Sequence, residues 1–271
     1  MSGLVAWARP HNLLKGRHLN LLHAISVIVA VATLPCGALA QDTSNRIGLG
    51  VALVPDYDGS ADYQAIPTLN GRLSFGNLDL DFRGLNVRSN LLSGPISAGP
   101  VLNYRGGRSD DVENAQVAAL PEIDAAVEIG AFVSLPLNGN YSLSGEILGD
   151  VSDAHGGFLG TVSANYQRLI SERIAIFASA SVSLMDDNFA QTYYGVTGAG
   201  AAASGLSAYN AGGGLRDIGI LMGANYNISA RTSLTGAVGY SELLGNAADS
   251  PLVAVGDSGQ MFVNVGLSFS F

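Results

Sequence analysis

From about residue 45 onward, apolar and polar residues alternate with a period of two, the mark of strands with two unlike faces. The last segment is the clearest. Met261, Val263, Val265, Leu267, Phe269 and Phe271 share one face, and Phe262, Asn264, Gly266, Ser268 and Ser270 share the other. Between Ile123 and Leu137, Val127, Ile129, Ala131, Val133 and Leu135 alternate with Asp124, Glu128, Gly130 and Ser134. Ile218, Ile220, Met222 and Ala224 oppose Asp217, Gly219 and Asn225, and Leu78, Leu80 and Phe82 oppose Asp79, Asp81 and Arg83. A soluble sandwich also alternates, with its apolar face inward. Here the second face is small or ionisable, and the segments exceed the usual ~5–6 residues. Membrane-spanning barrel strands need ~9–11 residues, apolar toward lipid and polar toward the lumen. The pattern predicts an all-β fold: an antiparallel transmembrane β-barrel of the outer-membrane type. Tyr104, Tyr141, Phe158, Tyr166, Tyr226 and Tyr240, near strand ends, suit interfacial girdles or plain strand propensity.

The connections fall into two alternating kinds. Asn138-Gly139-Asn140, Ile170-Ser171-Glu172 and Ser229-Ala230 are short, whereas 108–122, 185–214 and 243–259 are long and 150–157 is intermediate. Barrels of this class have short periplasmic turns and long external loops. Seven strands follow Glu122. With both termini in the periplasm an odd number must precede Arg108, where four apolar segments stand: 46–54, 64–75, 77–88 and 95–107. Three strands give a barrel of ten and five give twelve. Short segments around Arg83-Gly84 and Ser93-Gly94 favour about twelve, with ten as the alternative.

Composition narrows the class further. Of 271 residues, 48% are hydrophobic and only 13% charged. Beyond about residue 35 no run reaches the ~20 apolar residues of a membrane-spanning helix. Beyond residue 40 lie ten arginines, no lysine and all 22 acidic residues, a net charge of −12. Nucleic-acid binding needs a basic face, which this chain lacks.

The first forty residues read as a cleaved secretory signal peptide. Arg9 to His18 is basic, Ala24 to Leu34 is apolar except for Ser26 and Thr33, and Ala38-Leu39-Ala40 is an A-x-A site before Gln41. Residues 41–271 are then the barrel. Cys36 follows Pro35, which a lipoprotein signal disfavours, and cleavage after Ala40 removes the one cysteine. No disulfide, thiol catalysis or cysteine-ligated metal is then expected.

The C-terminus, with Asn264, Gly266, Phe269 and a terminal Phe271, resembles the signal read by the outer-membrane barrel assembly machinery. Strand addition to a sheet edge is the physical basis of such reading. Further motifs are Gly48-Leu49-Gly50, Pro55-Asp56-Tyr57-Asp58-Gly59-Ser60, Gly99-Pro100 through Arg108, and Ile123-Asp124 leading to Val127-Glu128. They continue with His155-Gly156-Gly157, Tyr193-Tyr194-Gly195-Val196-Thr197, Ser204-Gly205-Leu206 with Tyr209, Gly214-Leu215-Arg216-Asp217 and Ser250-Pro251. In this order and spacing the chain resembles the MipA/OmpV family of outer-membrane proteins (MltA-interacting protein and its relatives). The resemblance implies an outer-membrane barrel. For the best-known member it implies a scaffold joining a lytic transglycosylase to a murein synthase; other members are linked to adhesion, stress or antibiotic response. It supplies no catalytic residues.

Several residues invite chemistry. The turn from Pro55 to Asp62 carries three carboxylates and a glycine, as calcium loops do, but has no bidentate Glu downstream at the usual spacing. It reads as a solvated acidic turn. His155 is the one histidine beyond the signal. Ser152 and Asp153 are near it in sequence, which is not triad geometry. It reads as a loop residue beside flexible glycines, and one histidine does not make a zinc site. Asp79, Asp81, Arg83, Arg88, Arg105, Glu128, Glu146 and Arg168 are candidates for the lumen, where they either line an ion pathway or pair and fill it. Asp110, Asp111, Glu113, Glu122 and Asp124 read as a solvated surface segment, or a divalent-cation contact near lipopolysaccharide. The expectation is a non-enzymatic outer-membrane scaffold with no cofactor. Its partners would be outer-membrane lipid and lipopolysaccharide, the assembly machinery, a lytic transglycosylase and a murein synthase. The alternative is a pore for small polar solutes. A barrel enzyme built on His155 has the least support.

Overall fold

A computed structural model describes residues 45–271 apart from 77 and 93. The cleavage residues Ala38, Ala40 and Gln41, like Cys36 and Ser93, lie outside the described residues. Twelve strands close into one antiparallel barrel: β1 (Arg46–Pro55), β2 (Tyr63–Phe75), β3 (Leu78–Arg83), β4 (Asn86–Ser89), β5 (Ser97–Arg105), β6 (Ala126–Asn138), β7 (Tyr141–Asp150), β8 (Phe158–Ser171), β9 (Ile174–Met185), β10 (Gly214–Asn227), β11 (Thr232–Leu243) and β12 (Gly259–Ser270). Each strand pairs with its sequence neighbours. β1 closes on β12 from Arg46↔Ser270 to Leu53↔Val263.

The strand count is twelve because the apolar segment 77–88 is not one strand. It is a short hairpin, β3 and β4, turning at Gly84-Leu85. Gly84 has φ +64°, a conformation that glycine adopts without steric cost. The other short connections lie at the end of the barrel where β1 starts at Arg46 and β12 ends at Ser270. The long connections gather at the opposite, loop end.

The two faces are inverted relative to a soluble protein. Outward side chains are large, apolar and exposed, among them Leu49, Val51, Ile129, Val182, Ile220 and Val265. Inward positions are small or polar: Ser134, Ser142, Ser163, Asn165, Ser179, Ser183 and Asn264 are all buried. Gly266 also points inward beside Gly50, while Phe269 and Phe271 point outward. Arg168 corrects its lumen assignment. It shares the face of the exposed Val162, near the short-turn end of β8, where a long side chain reaches the interface. One apolar patch lies inside the barrel, where Ala52, Val54, Leu221 and Phe262 meet Ile66 and Phe177.

Ile220 lies mid-strand on the apolar belt, 54% exposed. Ile220→Arg is expected to destabilise the barrel by about 2–4 kcal/mol, as charges do at the bilayer midplane. Equilibrium unfolding in lipid vesicles measures it. A change below about 0.5 kcal/mol, ordinary for a water-exposed surface, would contradict a lipid-facing Ile220.

Candidate functional site

The loop end holds a folded cap. Its apolar core takes Tyr57 from the β1–β2 connection, Val117, Leu120 and Ile123 from β5–β6, Phe189, Tyr193, Tyr194, Val196, Leu206 and Ala211 from β9–β10, and Ala247, Leu252 and Val253 from β11–β12. His155 of the β7–β8 connection packs edge-on against Phe189, with centroids 5.2 Å apart. A cluster that draws on every long connection around the rim must lie across the mouth.

Five short helices shape this cap: α1 (Ala115–Ala118), α2 (Asp187–Tyr194), α3 (Gly198–Ser204), α4 (Gly245–Ala248) and α5 (Pro251–Ala254). The sequence starts them with ordinary caps. The side chains of Asn114, Asp186, Thr197 and Ser250 each accept a backbone N–H in the first turn, and Pro251 opens α5. α2 buries Phe189, Ala190, Tyr193 and Tyr194. Gly157 lets the β7–β8 connection run against α2. A Cβ there would lie 2.4 Å from the Phe189 nitrogen.

Beneath the cap lies a buried ion network. Arg105 grips Glu128 with two bonds, Nε to Oε1 at 2.7 Å and Nη2 to Oε2 at 3.1 Å, and both side chains are fully buried. Asn103 donates to Glu128 Oε2 at 2.6 Å, and His155 Nε2 lies 3.0 Å from Oε1. The Gly157 N–H donates to His155 Nδ1 at 3.1 Å. Nδ1 is therefore the acceptor, and Nε2 carries the proton given to Glu128. The Arg105 guanidinium also lies over Phe189 and Tyr193, 4.8 and 5.6 Å from their centroids, a desolvated cation–π contact. Asp150 holds the loop from below, accepting the N–H groups of His155, Gly156 and Ser152.

A second network stands beside it. Arg216 pairs with Asp217 and lies 3.6 Å from Asp58, while Tyr194 donates to Asp58 at 3.4 Å. Ser250 donates to the Tyr194 carbonyl, and Gln260 ties the backbone of Gly59 and Ser60 to the wall. Burial raises the Asp58 pKa above the ordinary carboxylate value, against the pull of Arg216 and Arg105. Burial also pushes Tyr57 up to about 12 and Tyr194 well above its usual value.

Two expectations change here. His155 is a loop residue, as expected, but a buried one: it is 6% exposed and both ring nitrogens are bonded. The Pro55–Asp62 turn is not wholly solvated, since Asp58 and Ser60 are buried in the cap. In both cases the loop carries too many aromatic contacts to stay in water. Ser152 bonds to Asp150 and forms no triad with His155. Among the described residues no group of three or more His, Cys, Asp or Glu is placed to hold a metal ion.

The remaining charged candidates separate into other parts of the lumen. Arg72 pairs with Asp81 at 2.8 Å, Arg88 with Glu146 at 2.6 Å, and Ser74 donates to Asp79 at 2.6 Å. Arg88 lies over Phe132, and Arg83 follows Asp81 on the inner face of β3. Arg105 and Glu128 alone among these candidates join the cap. Asn103, which bonds Glu128, and Arg216 and Asp217 of the second network were not singled out as site residues in the sequence. In the sequence Glu128 and Asp217 are marked only as ionisable residues on the small or polar face of an alternating strand. A cavity of about 80 Å³ lies against Arg216, lined by serines such as Ser179 and Ser183 together with Asp217, Gln260, Leu221 and Met261.

The family model described as MltA-interacting protein MipA matches residues 47–271. The chain belongs to this family. It is 31% identical over 123 residues to YiaT of Escherichia coli (strain K12), named as an outer membrane protein. That alignment covers 45% of this chain and 48% of YiaT, so the chain spans about half the length of the curated relatives it matches. Among solved structures, an outer membrane channel from Pseudomonas putida F1 is 13% identical, with TM-score 0.45, covering 88% of this chain and 99% of the channel. The KdgM porin is 11% identical, with TM-score 0.42, covering 83% and 99%. This member of the MipA family is a closed, twelve-stranded outer-membrane barrel.

Glu128→Ala leaves Arg105 buried without its counter-ion and is expected to cost about 3–5 kcal/mol, as broken buried pairs do. Asp58→Asn removes a charge whose burial is unfavourable, and is expected to stay within about 1 kcal/mol of the parent at neutral pH. The Asp58 pKa is raised in the folded state, so its contribution favours folding as pH falls through that pKa and is lost as pH rises. The variant lacks this component. Unfolding midpoints from acid to neutral pH read both effects, and an Asp58→Asn cost equal to that of Glu128→Ala would refute the distinction.

Proposed function

We propose that the protein is a non-enzymatic outer-membrane scaffold for murein-processing enzymes, gathering a lytic transglycosylase and a murein synthase at the periplasmic face. The family's description as MltA-interacting supports an interaction role. The closed mouth carries the choice against the pore. A pore for small polar solutes needs a continuous water path, and the residues at the centre of the cap, Phe189, Tyr194, Leu252 and Ser250, are 0% exposed. His155, the best residue for an enzyme, has both nitrogens committed to holding the cap.

In this reading the export signal is removed after Ala40, and residues 41–271 are delivered by the barrel assembly machinery through Asn264, Gly266, Phe269 and Phe271. The apolar belt then sits in lipid and lipopolysaccharide with the short turns toward the partners. Crosslinking intact cells that carry a tag at the exposed Asp110-Asp111 is expected to enrich a lytic transglycosylase or a murein synthase over an unrelated barrel. Recovery of assembly factors and lipopolysaccharide components alone would count against the scaffold. In planar bilayers the protein is expected to show no discrete conductance steps, and steps from the intact chain would restore the pore.

A further inference from the structure

The barrel wall is incomplete on one side. β2 pairs with β1 along its whole length, from Arg46↔Arg72 to Pro55↔Tyr63, but with β3 only from Asn70 to Phe75. The β3–β4 hairpin stops at Gly84-Leu85, where the Gly84 N–H donates to the Leu69 carbonyl at 2.7 Å. That bond fixes which groups of β2 face the gap. In an antiparallel strand the N–H and C=O of one residue point to the same side, and the side alternates along the chain. Leu69 faces β3, so Tyr63, Ala65 and Pro67 face the same way, where no strand of the described residues follows. Among the described residues, the N–H groups of Tyr63 and Ala65 and the carbonyls of Tyr63, Ala65 and Pro67 have no partner on that side. Pro67 has no N–H to offer there, the position that prolines take at sheet edges.

This edge lies at the depth of the apolar belt. Val51 and Leu53, opposite Pro67 and Ala65 on β1, are exposed toward lipid. An open, lipid-facing sheet edge is not tolerated in hydrocarbon, because lipid tails cannot satisfy backbone groups. Groups of one strand edge, repeating every second residue, match another strand. On the far side of the gap the Tyr104 N–H bonds to Leu85 at 3.1 Å. The missing upper halves of β3 and β4 leave about three strand spacings, ~14 Å, between β2 and β5. A second copy of the chain brings its own β3–β4 hairpin to the place where β2 would have to meet β2.

We propose that the Tyr63–Pro67 edge of β2 is a docking edge for an extended β-hairpin segment of another envelope protein, whose two strands fill the two missing positions between β2 and β5. That segment carries apolar residues outward, beside Tyr63, Leu85 and Leu102, and small or polar ones inward, beside Thr68, Asn86 and Asn103. The proposal goes beyond the scaffold reading. It rests on the register of the wall and stands or falls apart from any murein enzyme.

The test uses the full chain in native outer-membrane vesicles. A photocrosslinking residue is placed at Tyr63 or Leu85, with Val182 as a lipid-facing control, and amide exchange is followed at Ala65. Ala65→Pro removes the donor that faces the gap and spares every β1–β2 bond. The expected result is an Ala65 amide protected in vesicles and exposed after purification in detergent, with a discrete protein adduct from Tyr63 and Leu85 but not from Val182. The adduct falls about tenfold in Ala65→Pro, the loss of one backbone bond, with unheated gel mobility unchanged. The wild-type exchange measurement decides even where that variant fails to fold. An Ala65 amide exchanging as fast in vesicles as in detergent, adducts with lipid alone, or adducts between two copies of this chain would overturn the proposal.

Discussion

Everything in this structure depends on satisfying the backbone in a solvent that cannot hydrogen-bond. In hydrocarbon each N–H and C=O needs a protein partner, so a sheet survives only by closing on itself. The pairing of β1 with β12 performs that closure. It explains why the strands are long and why the lipid face is apolar without being a core. The exception is the short β3–β4 hairpin, which removes half the pairing of one neighbour and leaves a proline at the resulting edge.

Among the described residues, the cap is the part built like a soluble domain. Its helices are too short to be stable alone. They persist because their apolar faces meet over the mouth and exclude water. That packing rests on the barrel rim through charged groups. Glu128 is buried on β6 and needs donors to offset its lost hydration. It receives them from Arg105 and Asn103 on the neighbouring β5 and from His155 in a loop. The network thus couples the rigid wall to the cap. Arg216 does the same on the other side, through Asp217 in its own strand and Asp58 in the β1–β2 connection.

The two halves of the barrel interior have different tasks. Near the short-turn end, ion pairs such as Arg72–Asp81 and Arg88–Glu146 remain partly exposed. The more exposed of them, Arg72–Asp81, contributes little to stability in water. Near the loop end the charges are dry and hold the cap. A lumen that reads as polar from sequence alone also holds an apolar patch around Phe262, with the packed cap above it.

The barrel is legible in the order of residues. A period of two, with unlike faces and alternating loop lengths, has one stable arrangement in a membrane, and register follows because a one-residue slip exposes the wrong face. That order also indicated that five strands precede Arg108, through the turn at Arg83-Gly84. How the connections meet is visible only in the assembled fold. Nothing local to His155 points to Glu128, which is 27 residues away in the chain. Nothing local to Asp58 points to Arg216 or Tyr194. Local alternation records which face a residue takes. Contacts among loops depend on the circumference that brings β1, β6 and β10 to one mouth, so solvated turns and flexible glycines in the sequence became a packed cap in the fold.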